Sequence, residues 1–126
     1  MIHKSRPVVL VVEDDSLLRL LAVEIIEDAG FVAVEAKNAD EAIAGLEHRA
    51  DIALLLTDVD MPGSMDGLSL AHLVRSRWPP IKIIIVSGKT HLTDADLPSE
   101  SRFFSKPYSM GHMTKLLHLF YPPLAD

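Results

Sequence analysis

The chain has 126 residues, of which 48% are hydrophobic and 24% charged, and its formal net charge is −6 at pH 7. This length allows one domain with a substantial core but not two, so we predict a single domain over residues 1–126, with its core between about 6 and 120 and no output domain. The absence of cysteine excludes disulfides, thiolate metal sites and a cysteine nucleophile, and the negative charge argues against direct nucleic-acid binding.

The first predicted element is a strand over residues 8–12, VVLVV, which is too short for a helix and apolar on both faces. Basic residues precede it, as in a signal peptide, but the apolar stretch ends in acids instead of a cleavage site. We therefore expect a cytoplasmic protein without membrane contact. Ser16 is predicted to cap a helix that ends at Gly30. Its predicted buried stripe consists of Leu17, Leu18, Leu21, Ala22 and Ile25.

Strands and helical patterns then alternate. Further strands are predicted over residues 31–35, 52–57, 81–86 and 102–105. Helices are predicted after Asn38, which has Glu41 at capping-box spacing, near Asp66, and after Ser109. The segment 88–101 contains Pro98 and little apolar periodicity, so a fourth helix there is predicted to be short, bent or absent.

Strands that are apolar on both faces and alternate with helices indicate a parallel sheet covered on two sides, an α/β fold. Right-handed crossovers bring the carboxyl ends of all strands to one edge, where such folds place their sites. The strand ends deliver polar residues to that edge: Glu13, Asp14, Asp15, Asp58, Asp60, Ser87 and Lys106. Converging carboxylates recruit a hard cation such as Mg²⁺, and a carboxylate, a hard cation and a lysine suit phosphoryl transfer. Asp58 is the candidate nucleophile.

The motifs "VVEDD", "TDVDMPGSMDG", "VSG" and "SKPY", in this order, resemble the receiver domain of bacterial two-component response regulators (CheY-like), here of the stand-alone type. The resemblance runs from about residue 6 to residue 120. It implies a flavodoxin-like, doubly wound sheet of five parallel strands in the order 2-1-3-4-5.

The resemblance also implies a role for each matching residue. Asp58 would accept a phosphoryl group from a sensor histidine kinase or a histidine phosphotransferase. Glu13, Asp14 and Asp58 would hold Mg²⁺, or Mn²⁺ in its place, together with the backbone carbonyl of Asp60. The resemblance further implies that Ser87 and Lys106 contact the phosphoryl group, and that Ser87 and Phe103 change position when the domain switches. It also implies that Asp60 and Lys89 tune dephosphorylation and that the Lys106–Pro107 peptide is cis. Phe103 and Phe104 cannot share a face, so we expect one in the core and the other near the surface.

Two features depart from the family pattern. The loop "MPGSMDG" is one residue longer than the commoner "MPGMDG", and the segment after Ser87 is short and poor in helix signal. The downstream partner is an unidentified protein target, homodimerisation stays open, and the receiver would serve as a switch, a relay shuttle or a phosphate sink.

Alternative functions are a degenerate receiver that binds partners without phosphorylation and flavin binding, which the acidic "EDDSLL" opposes. "DVDMP" also resembles the nucleophile motif of haloacid-dehalogenase-type phosphatases.

Overall fold

A computed structural model describes residues 6–88 and 92–122 of the chain. The elements are β1 (Val8–Val12), α1 (Ser16–Asp28), β2 (Val32–Ala36), α2 (Ala39–His48), β3 (Ile52–Asp58), α3 (Gly67–Arg77), β4 (Lys82–Ser87), β5 (Ser101–Ser105) and α4 (Met110–Phe120). The five strands form one sheet in the order β2-β1-β3-β4-β5, and every neighbouring pair is parallel. The predicted sheet and strand order are confirmed.

Each face of the sheet is covered by two helices and has its own core cluster. Val8, Leu10 and Val12 of β1 pack with α2 and α3, whereas Val9 and Val11 pack with α1 and α4. This alternation explains the uninterrupted apolar run of β1, because both faces of the strand are buried. Among the described residues, no helix is long and apolar enough to cross a membrane.

The first turn of α1 differs from its prediction. Asp15, not Ser16, is the N-cap, and its side chain accepts hydrogen bonds from the backbone N–H groups of Leu17 and Leu18. Leu17, Leu18 and Leu21 are 63%, 43% and 46% exposed, whereas the buried residues of the helix are Ala22, Ile25 and Ile26. The predicted stripe was therefore wrong in its first half. That half lies at the sheet edge, where β1 has already ended, and only the second half runs back over the strands.

The other helix starts agree with the sequence. Asn38, Asp66 and Ser109 are N-caps, and each side chain accepts from the backbone N–H three residues further on. Glu41 reaches back to the backbone N–H of Lys37 instead of that of Asn38, so the predicted capping box is only half formed. Gly30, with φ +97°, follows the end of α1 as predicted.

The connection between β4 and β5 contains no helix in its described part, residues 92–100, which we call the 92–100 segment. Leu92 and Leu97 pack against the core cluster that also contacts α2 and α3, and Pro98 is buried. Side chains of α3 hold the segment: the ring Nε2 of His72 donates to Asp96 O at 2.8 Å, and Arg75 Nε donates to Ser99 O at 2.8 Å. The prediction of a short or absent fourth helix is confirmed for these residues.

Candidate functional site

Four neighbouring strands end at one edge of the sheet and carry the predicted polar residues. The register brings the strand ends level with one another: Val12 pairs with Thr57, Asp58 with Val86, and Ser87 with Ser105. The residues at or just after these ends are Glu13, Asp58, Ser87 and Lys106. The backbone ladder of the sheet therefore sets their positions.

A single lysine bridges two buried acids at this edge. Lys106 Nζ lies 2.9 Å from Glu13 Oε1 and 3.0 Å from Asp58 Oδ2. Glu13 and Asp58 are only 6% and 5% exposed. With Asp14, these residues form what we call the acidic edge. Two carboxylates share one ammonium group here, so the buried site keeps an excess of negative charge.

The electrostatics of the acidic edge follow from burial and from this sharing. Burial raises the pKa of Glu13, the nearby charge of Asp58 adds to the increase, and the hydrogen bond from Lys106 opposes it. Burial alone would lower the pKa of Lys106, but its hydrogen bonds to Glu13 and Asp58 outweigh burial and raise it. Lys106 therefore remains a cation, and the carboxylate of Glu13 lacks full charge compensation.

The acids also meet the geometric requirement of a metal site. One oxygen each from Glu13, Asp14 and Asp58 lies within 4.8 Å of the others. Glu13 and Asp58 are buried and Asp14 is exposed, so one side of the group is open to water. Within residues 6–88 and 92–122 no other such group of acids and histidines is found. An all-oxygen set with room for water fits Mg²⁺ or Mn²⁺ better than Zn²⁺.

Asp60 connects the acidic edge with β4. Its backbone N–H donates to Asp58 Oδ1 at 3.2 Å, and its carboxylate Oδ2 accepts from Ser87 Oγ at 2.8 Å. The sequence analysis assigned tuning of dephosphorylation to Asp60 together with Lys89, but Lys89 lies outside the described residues. In the described part of the chain, the carboxylate of Asp60 thus contacts the predicted switch hydroxyl. A metal contact by the Asp60 backbone carbonyl stays a prediction.

Gly67 is a site residue that the sequence analysis did not single out. It is the first residue of α3, and a Cβ at this position would lie 1.7 Å from Asp58 O and 2.8 Å from Thr57 Oγ1. The helix start therefore packs directly on the backbone of Asp58, and only glycine fits. A glycine immediately after the N-cap Asp66 is a poor helix former, and this mismatch was the available signal.

The longer loop before α3 has its own local anchors. Gly63 adopts a positive φ of 113°, which favours glycine. Ser64 Oγ donates to Asp40 Oδ1 at 2.8 Å and so ties the loop to α2. Asp15, which the sequence analysis placed at the edge, and Asp66, which it placed near the start of a helix, are both N-caps.

The two phenylalanines of β5 lie on opposite faces of the sheet. Phe103 packs against the core cluster that Leu97 also contacts, and Phe104 packs against the other cluster, beside Tyr108. Both are partly buried, so the prediction of one core and one surface residue was wrong. The reason is that both faces are covered here, one by the 92–100 segment and the other by α4. The Lys106–Pro107 peptide bond is cis, as the resemblance implied.

An apolar hollow of about 460 Å³ opens beside the ion pair. Leu18, Leu21 and Ile25 of α1 form one wall, and Pro107 and Tyr108 form another. Glu13 and Lys106 also line it, so the hollow adjoins the acidic edge. Exposed apolar surface of this kind is typical of contact sites for other macromolecules.

A family model described as "Response regulator receiver domain" matches residues 9–118, most of the chain. The chain belongs to the response regulator receiver family of two-component systems. It is 32% identical over 105 residues to the response regulator receiver protein CpdR of Brucella abortus, a match that covers 81% of this chain and 86% of CpdR. It is 34% identical over 116 residues to the DNA-binding transcriptional regulator NtrC of Salmonella typhimurium, but spans only 24% of that longer relative.

Solved structures agree with this assignment. A response regulator receiver protein from Pseudomonas putida has a TM-score of 0.81 and 32% identity, and the match covers 93% of this chain and 99% of the other. The response regulator TrrA of Thermotoga maritima, solved in complex with Mg²⁺ and BeF, has a TM-score of 0.78 over 90% of this chain and 98% of TrrA. At 23% identity, TrrA indicates the shared fold.

Proposed function

We propose that Asp58 of this receiver domain accepts a phosphoryl group from a phosphohistidine of a sensor histidine kinase or a histidine phosphotransferase, with Mg²⁺ or Mn²⁺ bound. The observation that carries the proposal is the orientation of the buried Asp58 carboxylate. One oxygen lies 3.0 Å from Lys106 Nζ and the other 3.2 Å from Asp60 N. A carboxylate fixed by two donors and flanked by two further acids has the chemistry of a nucleophile beside a hard cation.

In this transfer, a carboxylate oxygen of Asp58 attacks phosphorus, and the P–N bond to the donor histidine breaks. The electron pair returns to the imidazole nitrogen, and an acyl phosphate forms on Asp58. Phosphoryl transfer depends mainly on positioning and charge neutralisation. Glu13, Asp14, Asp58 and the backbone carbonyl of Asp60 would hold the cation, which supplies positive charge to the phosphoryl oxygens. Lys106 would neutralise the opposite side, and the Mg²⁺–BeF complex of TrrA offers a precedent on the same fold.

The switch in this proposal starts at Ser87. Its hydroxyl now donates to Asp60, and on phosphorylation we expect it to donate to a phosphoryl oxygen instead. The backbone carbonyl of Ser87 accepts from Lys106 N at 2.9 Å, so a shift of Ser87 reaches β5 and the packing of Phe103. A complete switch from 1:99 to 99:1 would need about 5.5 kcal/mol of differential stabilisation. Asp60 and Lys89 are proposed to set the lifetime of the phosphoryl group.

The exposed leucines of α1 suggest where the donor binds. A donor histidine must approach Asp58 from the open side of the acidic edge, so the donor protein covers the surface around it. Leu17, Leu18 and Leu21 are exposed at that edge, beside the apolar hollow. Apolar side chains of the donor would fill the hollow and bury these leucines. On phosphorylation we expect the surface of β4 and β5 to change, and we propose that a further protein, the downstream target, binds the changed surface.

The proposal is tested by incubating the protein with Mg²⁺ and acetyl phosphate, followed by intact mass and peptide mapping. We expect one phosphoryl group on Asp58, no modification without the cation, and none in Asp58→Asn. Asp94→Asn, in the 92–100 segment, is the matched control and should label like the wild type. Absence of label from both acetyl phosphate and a competent phosphohistidine donor, or a label on another residue, would refute the proposal.

The same experiment separates the two principal alternatives. A receiver that works without phosphorylation would stay folded and take up no label. A phosphatase of the haloacid-dehalogenase type would turn over a small phosphate ester continuously, whereas we expect a single modification and slow loss. In such a phosphatase the second acid of "DVDMP", here Asp60, would act as acid and base, so continuous turnover of the ester is the outcome that would favour it.

A further inference from the structure

Arg19 of α1 joins three elements beneath the acidic edge. Its Nη1 donates to the backbone carbonyl of Glu13 at 2.8 Å, and its Nε donates to Glu35 Oε1 on β2 at 3.0 Å. The side chain of Arg19 is only 19% exposed, whereas that of Glu35 is 55% exposed. Two nitrogens of one planar guanidinium thus hold two acceptors in fixed positions, which a lysine cannot do.

The carbonyl that Arg19 contacts belongs to the peptide joining Glu13 to Asp14. The backbone N–H of Glu13 still bonds to Ala36 O on β2, but β1 ends at Val12, so the chain leaves the sheet here. The bond from Arg19 therefore restrains the orientation of this peptide. Both acids of the peptide place a carboxylate oxygen within 4.8 Å of Asp58, and a rotation of the peptide would separate them.

Because the carbonyl that Arg19 contacts joins two of the three clustered acids, its bond has a consequence beyond stability. An ion pair whose acid is more than half exposed contributes little to stability. A side chain that holds metal-binding residues in orientation has a larger effect on metal affinity, because its loss misplaces the ligands. We propose that Arg19, anchored by Glu35, is a positioning residue that sets the affinity of the acidic edge for a divalent cation such as Mg²⁺; this inference rests on the proposed function.

Charge and geometry act in opposite directions at this position. Removing the positive charge of Arg19 would favour a bound cation, whereas losing the restraint on the Glu13–Asp14 peptide would disfavour it. Variants that keep the charge isolate the geometry. Arg19→Lys keeps the positive charge of the side chain but loses the planar guanidinium, which donates to two acceptors at once. Glu35→Asp keeps the negative charge on a side chain that is one methylene shorter.

The chain offers a matched control in a second arginine–glutamate pair. Arg77 Nη2 lies 3.1 Å from Glu47 Oε2, and both side chains are about half exposed. This pair joins α3 to α2 and contacts none of the acids of the acidic edge. Arg77→Lys and Glu47→Asp therefore make the same chemical changes without touching the Glu13–Asp14 peptide.

The measurement is the Mg²⁺ dissociation constant, obtained from backbone amide shifts of residues 13–15 at a temperature where circular dichroism shows every variant folded. We expect Arg19→Lys to weaken Mg²⁺ binding about tenfold, Glu35→Asp to weaken it less, and both control variants to match the wild type. If Arg19→Lys does not fold, Glu35→Asp carries the test.

The outcomes distinguish this inference from the proposed function. Wild-type affinity in Arg19→Lys and Glu35→Asp overturns the positioning role and leaves the proposed function in place. An equal loss in Arg77→Lys also overturns it, because the effect would then be general. A wild type that binds no Mg²⁺ overturns both.

Discussion

The acidic edge and the 92–100 segment are held in place by different kinds of bonds. Asp58 lies at the end of β3, within the ladder to β4, and the residues just after β1 and β5, Glu13 and Lys106, still donate backbone hydrogen bonds to Ala36 O and Ser87 O of neighbouring strands. The 92–100 segment has neither a ladder nor a helix, and its backbone is fastened by side chains of α3. The acidic edge is thus positioned mainly by the sheet, with Arg19 as an added restraint on one peptide, whereas the 92–100 segment depends on side chains of α3.

Arg75 of α3 donates hydrogen bonds to two backbone carbonyls of the 92–100 segment. Its guanidinium donates to Ser99 O, Pro79 O and Ile81 O at distances of 2.7 to 2.9 Å, and to Glu100 O at 3.4 Å. These carbonyls belong to two separate connections, the one from α3 to β4 and the one from β4 to β5. A single side chain thus supplies backbone partners that a helix would otherwise provide internally.

The largest effect is expected where α3 touches the acidic edge. Gly67→Ala would place a Cβ 1.7 Å from Asp58 O, so either α3 or the end of β3 must shift. We expect a loss of at least about 3 kcal/mol of unfolding free energy, the upper range for overpacking. Urea denaturation followed by circular dichroism measures it.

Gly45→Ala is the control for this substitution. Gly45 lies inside α2, and a Cβ there would meet no atom within 4 Å. Replacing glycine by alanine in an unobstructed helix should stabilise the protein by about 0.5–1 kcal/mol. Equal midpoints for Gly67→Ala and the wild type would contradict the close contact at Asp58.

The difference between the two regions explains what the sequence could predict. Apolar runs identified the first four strands and a short pair of phenylalanines the fifth, and parallel topology then placed Glu13, Asp58, Ser87 and Lys106 at one edge without any knowledge of side-chain contacts. The bonds of Arg75 and Arg19 to backbone carbonyls have no periodic signal, because any nearby carbonyl can accept them. The exposure of Leu17, Leu18 and Leu21 was missed for a related reason, since helical spacing does not reveal where the sheet beneath the helix ends.

The next largest change in stability is expected when the hydrogen bonds that hold the 92–100 segment are removed. Arg75→Ala removes all four hydrogen bonds to carbonyls. We expect the unfolding free energy to fall by about 2 kcal/mol, the value for one charge-assisted hydrogen bond. The loss is not four times larger because water can replace the hydrogen bonds at the exposed carbonyls. Amide hydrogen exchange should become faster in residues 92–100 and should stay faster there than at Asp58 and Lys106, whose amides should lose no more protection than the loss of unfolding free energy requires.

Arg77→Ala is the matched control, since it removes an arginine two positions further along α3. Its ion pair with Glu47 is about half exposed and its guanidinium lies 4.4 Å from the centroid of the Trp78 ring, so we expect a loss of unfolding free energy of about 1 kcal/mol, smaller than that of Arg75→Ala. Equal protection of the amides of residues 92–100 and of the acidic edge in Arg75→Ala would mean that the segment and the acidic edge unfold as one unit, and the distinction between them would fail.

The smallest expected change in stability separates function from folding at the acidic edge. Asp14→Asn removes one of three carboxylates whose oxygens lie within 4.8 Å of one another. Without metal, we expect the unfolding free energy of the variant to exceed that of the wild type by roughly 0.5–1 kcal/mol, because the variant lacks the repulsion between unit charges at this separation in a water-like medium. Mg²⁺ should raise the thermal midpoint of the wild type by mass action and leave that of the variant nearly unchanged.

Asp94→Asn, which alters an aspartate of the 92–100 segment, should respond to Mg²⁺ like the wild type. If Asp14→Asn is less stable than the wild type without metal, the carboxylate of Asp14 stabilises the fold. The clustering of acids at this edge would then be explained by structure instead of cation binding.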